Sequence, residues 1–184
     1  ARTYMYGFYT SIFSGYGTGT SHGPFLMGQT LNDDFASDAE QKDLTPLVVP
    51  EADGSWSFSN IRKANYALAS IERIDATPAV KNHWRGVARF FRACYYSNLV
   101  FRYGDVPWYD RVPRLSDSKE DMDYLYKDRD PRAFVDSCIM ADFQYAMDSV
   151  RDNDGKLQVN KYVVAALASR FMLREGTFLK YPNL

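Results

Sequence analysis

Apolar side chains recur every third or fourth position along five stretches of this chain, separated by segments rich in glycine, proline and acidic residues. That spacing belongs to an α-helix with one face turned to a core. The first stretch, about Arg2 to Phe13, aligns Tyr4, Phe8 and Ile12, with Met5 and Tyr9 beside them. It gives way to Gly15 to Pro24, where four glycines and a proline in ten residues favour turns over helix. Asp33 to Gly54 continues irregular, acidic and proline-punctuated, so about forty residues separate the first two helices. Loops of that length in compact domains are usually functional.

The second helix has Ser57 or Ser59 as its candidate cap, the apolar line Ile61, Ala64, Leu68, Ile71, and an end before Pro78. The third is predicted from about Val80 to Tyr103. On it Phe91, Tyr95 and Leu99 recur at a spacing of four, flanked by Ala88 and Phe101, while Arg89, Arg92 and Arg102 are expected to reach solvent. Gly104 supplies a residue able to take positive φ at the helix end, and Pro107 stops the helix from resuming. The fourth helix is predicted over Pro131 to Val150, with Asp130 as cap, and the fifth over about Asn160 to Phe178. Helices two and three, and four and five, should form antiparallel pairs. Small residues such as Ala165, Ala166 and Ala168 are expected to permit close contact. This is the logic of tetratricopeptide hairpins, with the 34-residue period broken by an insert from Pro107 to Arg129. The expected class is all-α, made of tetratricopeptide-like hairpins with long loops.

Composition narrows the function. An apolar content of 46% with 16% aromatics argues against disorder, and 184 residues suit one domain with a real core. A formal net charge of −1 with both signs interspersed gives no footprint for nucleic acid. The longest apolar runs fall far short of the roughly 20 residues that cross a bilayer. Cys94 and Cys138 lie among apolar neighbours in predicted helices and read as small buried hydrophobes, while a disulfide would require those helices to cross there.

The stretch Ala88-Arg-Phe-Phe-Arg-Ala-Cys-Tyr-Tyr-Ser-Asn-Leu-Val-Phe-Arg-Tyr-Gly-Asp-Val-Pro107 closely resembles the helix-to-loop signature of the SusD/RagB family, nutrient-binding lipoproteins of the Gram-negative outer membrane. Arg129 to Met147 and Asn160 to Tyr181 resemble that family's third and fourth helices, in the same order. Upstream, Leu31 to Ser37 resembles the acidic loop after its first helix, and Ile61 to Leu68 the start of the next. The resemblance implies a SusD-like α-α superhelix that binds glycan or another nutrient, oligosaccharide or peptide. It also implies a SusC-type TonB-dependent transporter as partner, and a lipid anchor on the extracellular face of the outer membrane. These residues include no leader and no lipid-bearing cysteine. Residues 1–184 are therefore expected to be the N-terminal helical-repeat part of a larger SusD-like domain, with the first helix and ligand-side loop over 1–56 and two hairpins over 57–184.

Little catalytic chemistry is legible. His22 and His83 have no partner at metal-ligand spacing and read as solvated side chains. No nucleophile elbow or triad spacing occurs, and Gly15 to Thr20 lacks the Lys-Ser/Thr ending of a phosphate loop. Asp152-Asn-Asp-Gly155 reads as a turn, because Val150 stands where a first calcium ligand belongs and no bidentate Glu follows. No cofactor or metal is expected.

Ligand contacts are expected at Asn32, Asp33 and Asp34, whose amide and carboxylate groups can bond hydroxyls, and at Phe35, whose ring can stack on a sugar face. An Asx-turn or helix cap explains the three polar residues equally well. Trp108 and Tyr109, just past the Gly104-Asp-Val-Pro turn, are placed for display, whereas Trp84 within a helix reads as core. Capture without turnover is the expected function. A helical-repeat adaptor for protein is the first alternative. A glycan-processing enzyme is the second, though adjacent Asp33 and Asp34 on an extended segment point apart and make no carboxylate pair.

Overall fold

A computed structural model describes residues 2–13, 56–112, 118–152, 155 and 157–181. Among them are six helices: α1 (Arg2–Ile12), α2 (Ser59–Ile71), α3 (Pro78–Tyr103), α4 (Lys119–Leu125), α5 (Arg132–Ser149) and α6 (Lys161–Lys180). The chain divides into two compact units, Ala1–Met5 with Phe58–Leu184, and Tyr6–Ser57. In the second unit the described part of α1 carries an aromatic series, Tyr6 against Tyr9 at 5.7 Å and Tyr9 against Phe13 at 5.9 Å between ring centroids.

In the first unit the helix ends follow local chemistry. Thr77 caps α3, its hydroxyl accepting the Val80 N–H, with Pro78 in the first turn. Gly104 closes that helix at φ 71°, its N–H donated to the Val100 carbonyl at 2.9 Å. Asn160 caps α6 by accepting the N–H groups of Tyr162 and Val163.

Two expected caps are corrected. The N-cap position of α2 is held by Phe58, which makes no side-chain cap bond, rather than by Ser57 or Ser59. Asp130 does not cap α5, because its carboxylate accepts the Trp108 N–H at 2.6 Å and pairs with Lys127. The Arg132 N–H that opens α5 is donated instead to Asp105, 27 residues upstream, at 2.8 Å. Both carboxylates are thus spent on holding the Gly104-Asp-Val-Pro turn against the start of α5, where Val106 and Asp130 also form an isolated antiparallel bridge.

Contacts give the register. Asn65 on α2 meets Arg92 on α3 and Glu72 meets Arg85, so these helices run antiparallel. Phe143 on α5 meets Phe171 on α6 and Arg132 meets Glu175, an antiparallel pair again. Both expected hairpins are present, yet the most extensive interface joins α3 to α5, one helix from each. Gly86 makes this approach possible: a Cβ there would lie 2.9 Å from Val150 Cγ2 and 3.2 Å from Ser149 Cβ. Of the alanines of α6 expected to permit close contact, Ala168 is buried, while Ala165 and Ala166 are exposed and do not play that part.

Helix α3 is the centre of the unit and is buried on far more than one stripe, with Phe90, Phe91, Tyr95, Tyr96 and Leu99 all in the core. Phe90 packs on Phe143 at 6.2 Å and Phe143 on Phe171 at 6.0 Å, so one aromatic series links α3, α5 and α6. Phe101, expected to flank the stripe, is exposed under the Arg174 guanidinium. His83 is not solvated. It is buried where α5 ends, its Nδ1 accepting the Arg151 N–H, with Trp84 only half-buried beside it. Cys94 is buried and Cys138 half-buried, and both are free thiols.

Candidate ligand-binding groove

Arg92, expected in solvent, is 5% exposed and organises the region around Trp108 and Tyr109. Its Nε and Nη2 donate to the two oxygens of Asp142 at 2.7 and 2.8 Å, and its Nη1 donates to Asn65 Oδ1 at 2.7 Å and to the Asp110 carbonyl. Burial opposes the Arg92 charge, but Asp142 outweighs it and holds the guanidinium above its ordinary value. The expectation of an exposed Arg92 fails because α5 and α2 bring a carboxylate and an amide to it at once.

The same network pins the chain after Pro107. Asn65 Nδ2 donates to the Tyr109 carbonyl at 2.8 Å, and the Tyr109 N–H is donated to Tyr96 Oη at 2.6 Å. Tyr96 is pushed well up by burial and stays a phenol. The Tyr124 hydroxyl, from α4, accepts the N–H groups of Asp110 and Arg111. Helix α4 itself was not foreseen. It buries none of its residues and is fixed by its Ser118 cap and these bonds.

Trp108 is therefore not displayed. Its ring is buried, 4.2 Å from that of Tyr96, with the Arg92 guanidinium 5.1 Å from its centroid. Tyr109 is the residue that faces open space. It lines a groove of about 330 Å³ together with Phe58, Ile61, Arg62, Arg111 and Leu125, near the lower bound of the roughly 300–1,000 Å³ of small-molecule sites. The Tyr109 ring is held on three sides: edge to Phe58 and to Tyr124, each at 5.4 Å, and by its hydroxyl, which donates to the Leu125 carbonyl at 2.9 Å. Burial, then the charge of Asp130, raises its pKa, so it presents a neutral ring. A fixed aromatic edge with an apolar floor and polar rim can take a ring-shaped ligand that has one apolar face.

Asn32, Asp33, Asp34 and Phe35 lie outside the described residues, as does His22. Asn65, Arg92, Tyr96, Tyr124 and Asp142 were not singled out for the site. One signal was present in the sequence: Asn65 is four residues past Ile61 and Asp142 three past Ile139, polar residues at stripe positions. A second hollow, of about 180 Å³ between Tyr4, Met5, Tyr66 and Ile71, is almost wholly apolar and has little to orient a ligand. Burial drives the Cys94 thiol to about 12, which removes it as a nucleophile. Among the described residues no three His, Cys, Asp or Glu side chains are grouped to hold a metal, and no helix is long and apolar enough to cross a membrane.

The arrangement is that of a helical-repeat scaffold, and residues 32–173 match the SusD-like family model described as starch-binding, associating with the outer membrane. The chain belongs to this SusD-like family. A SusD-like protein from Bacteroides fragilis is 25% identical with a TM-score of 0.55, aligned over 64% of this chain and 22% of its own. A structure with a xylogluco-oligosaccharide is 21% identical, TM-score 0.53, over 65% of this chain and 23% of that one. A SusD-like carbohydrate-binding protein from Bacteroides vulgatus is 20% identical, TM-score 0.52, over 65% and 27%. The matched part thus spans between about a fifth and three tenths of these structures. No curated protein matches the chain.

Proposed function

We propose that this chain is the helical-repeat part of a cell-surface protein that captures an oligosaccharide and delivers it to a SusC-type TonB-dependent transporter, without turning it over. The observation that carries this reading is the family match over residues 32–173, and the Tyr109 groove supports it with a place suited to a sugar ring. A lipid anchor would hold the protein on the extracellular face of the outer membrane. Asn32, Asp33, Asp34 and Phe35 are proposed as further ligand contacts on the chemistry of their side chains alone. Trp108 acts behind the groove, backing the segment that presents Tyr109.

Calorimetry of the protein carrying this chain against a panel of oligosaccharides tests capture, with chromatography of the same mixtures to look for cleavage. Binding with intact glycan is the expected result. Cleavage products, or binding of peptides and no glycan, would overturn the reading. Isolation from gently solubilised outer membranes tests delivery, the expected companion being a large β-barrel.

A further inference from the structure

The charges around the Tyr109 groove are unevenly committed. Among the described residues, Arg62 and Arg111 are the charged side chains that line it, and no carboxylate does. Arg111 is partly engaged, 3.3 Å from Asp121 and with its guanidinium 4.1 Å from the centre of the Tyr124 ring. Lys127, which lies 5.6 Å from the centre of the Tyr109 ring, is paired with Asp130, and the Asp110 carboxylate accepts the Tyr124 hydroxyl. The Arg62 side chain has neither hydrogen bond nor ion pair among the described residues, although it is one turn from buried Asn65 on α2. It is a guanidinium at the rim of an aromatic-edged groove, with its five donors uncommitted.

We infer that the groove takes an acidic oligosaccharide, its sugar ring against Tyr109 and Phe58 and a uronate carboxylate on Arg62. This rests on the reading of the chain as a glycan binder and adds the class of glycan. A carboxylate matches the fork of a guanidinium in two parallel bonds, which a neutral hydroxymethyl at the same carbon cannot form. Arg111, which also lines the groove, is held by Asp121 and is the less available of the two cations.

The test is calorimetry at low salt with oligomers of galacturonate, mannuronate and glucuronate-containing hyaluronan, each paired with its carboxyl-reduced form. At least one uronate oligomer should bind about tenfold tighter than its reduced form, the worth of one charge-assisted bond, and the preference should shrink as salt is added. Arg62→Gln should remove the preference and Arg62→Lys keep part of it. Ser59→Trp, at an exposed position lining the groove, should block both forms, and a thermal melt of each variant confirms that it folds. If reduced and acidic forms bind alike and Arg62→Gln changes nothing while Ser59→Trp still blocks, the acidic preference is wrong and the glycan reading stands. If glycan binds but Ser59→Trp has no effect, the groove is not its site and the acidic proposal falls while capture stands; if no oligosaccharide binds at all, both ideas fall.

Discussion

Arg92 on α3 and Asp142 on α5 form two hydrogen bonds of 2.7 and 2.8 Å, with side chains only 6% and 3% exposed. The pair sits on the interface that joins the two hairpins, and Asn65 and the Asp110 carbonyl take the Nη1 donor, so the charge is both neutralised and hydrogen-bonded. Breaking one partner strands the other in the core. Asp142→Ala or Arg92→Ala is expected to cost about 3–5 kcal/mol, whereas replacing both with apolar residues of similar volume should cost far less than the sum. Urea denaturation of the three variants checks this, and additive losses would mean the two side chains act independently.

The close approach at Gly86 makes a steric prediction. Gly86→Val should destabilise by roughly 1–3 kcal/mol through overpacking, because Val150 is β-branched and Ser149 stands behind it with its own Cβ. Val150→Ala in the same chain should recover part of the loss. Thermal melts of the single and double variants decide it, and absence of rescue would place the strain elsewhere.

The α5–α6 seam should respond to pH. Asp136 is raised from 3.8 to about 6 by burial first and by the charge of Glu175, against the opposing pull of Arg132 and Arg174. One of its oxygens is buried without a hydrogen-bond partner. A raised carboxyl favours the folded state while protonated, so its contribution is complete below about 3.8 and is lost as pH rises through about 6. Asp136→Asn should therefore flatten the fall in stability across that window and leave the variant more stable than the native chain above it. Melting temperatures from pH 4 to 8 measure the difference, and parallel curves would rule out Asp136 as the titrating group.

Core and surface positions on α3 and α6 should separate cleanly. Leu99→Ala and Phe171→Ala, 7% and 4% exposed, are expected to cost about 2–5 kcal/mol. Leu173→Ala, 73% exposed, should fall within about 0.5 kcal/mol of the native chain. Chemical denaturation distinguishes them, and similar losses at Leu173 and Phe171 would mean that α6 is packed on more faces than one.

Features whose cause lies within a few residues were legible from the chain alone. Gly104 followed by Pro107 marks the end of α3, because positive φ and a missing N–H act on the adjacent turn. Asn160 marks the start of α6, because its side chain reaches only its own first turn. The 3.6-residue period showed α2, α3, α5 and α6 and the pairing that short connections impose, and with the resemblance it led to the family. Helix α4 was not legible, since it buries none of its side chains and so shows no stripe.

Where the governing contact spans the chain, only the tertiary structure decided. Asp130 stands in a cap position by sequence, yet Asp105 takes the Arg132 N–H because the turn after α3 lies against the start of α5. Arg92 and Trp108 carry side chains that sequence alone permits in water or in a core, and their burial follows from what arrives opposite: Asp142 and Asn65 for one, Tyr96 for the other. Local geometry determines which residues share a helix face, but the cost of burying the Arg92 charge depends on partners 27 to 50 residues away, and those are set by how the helices dock.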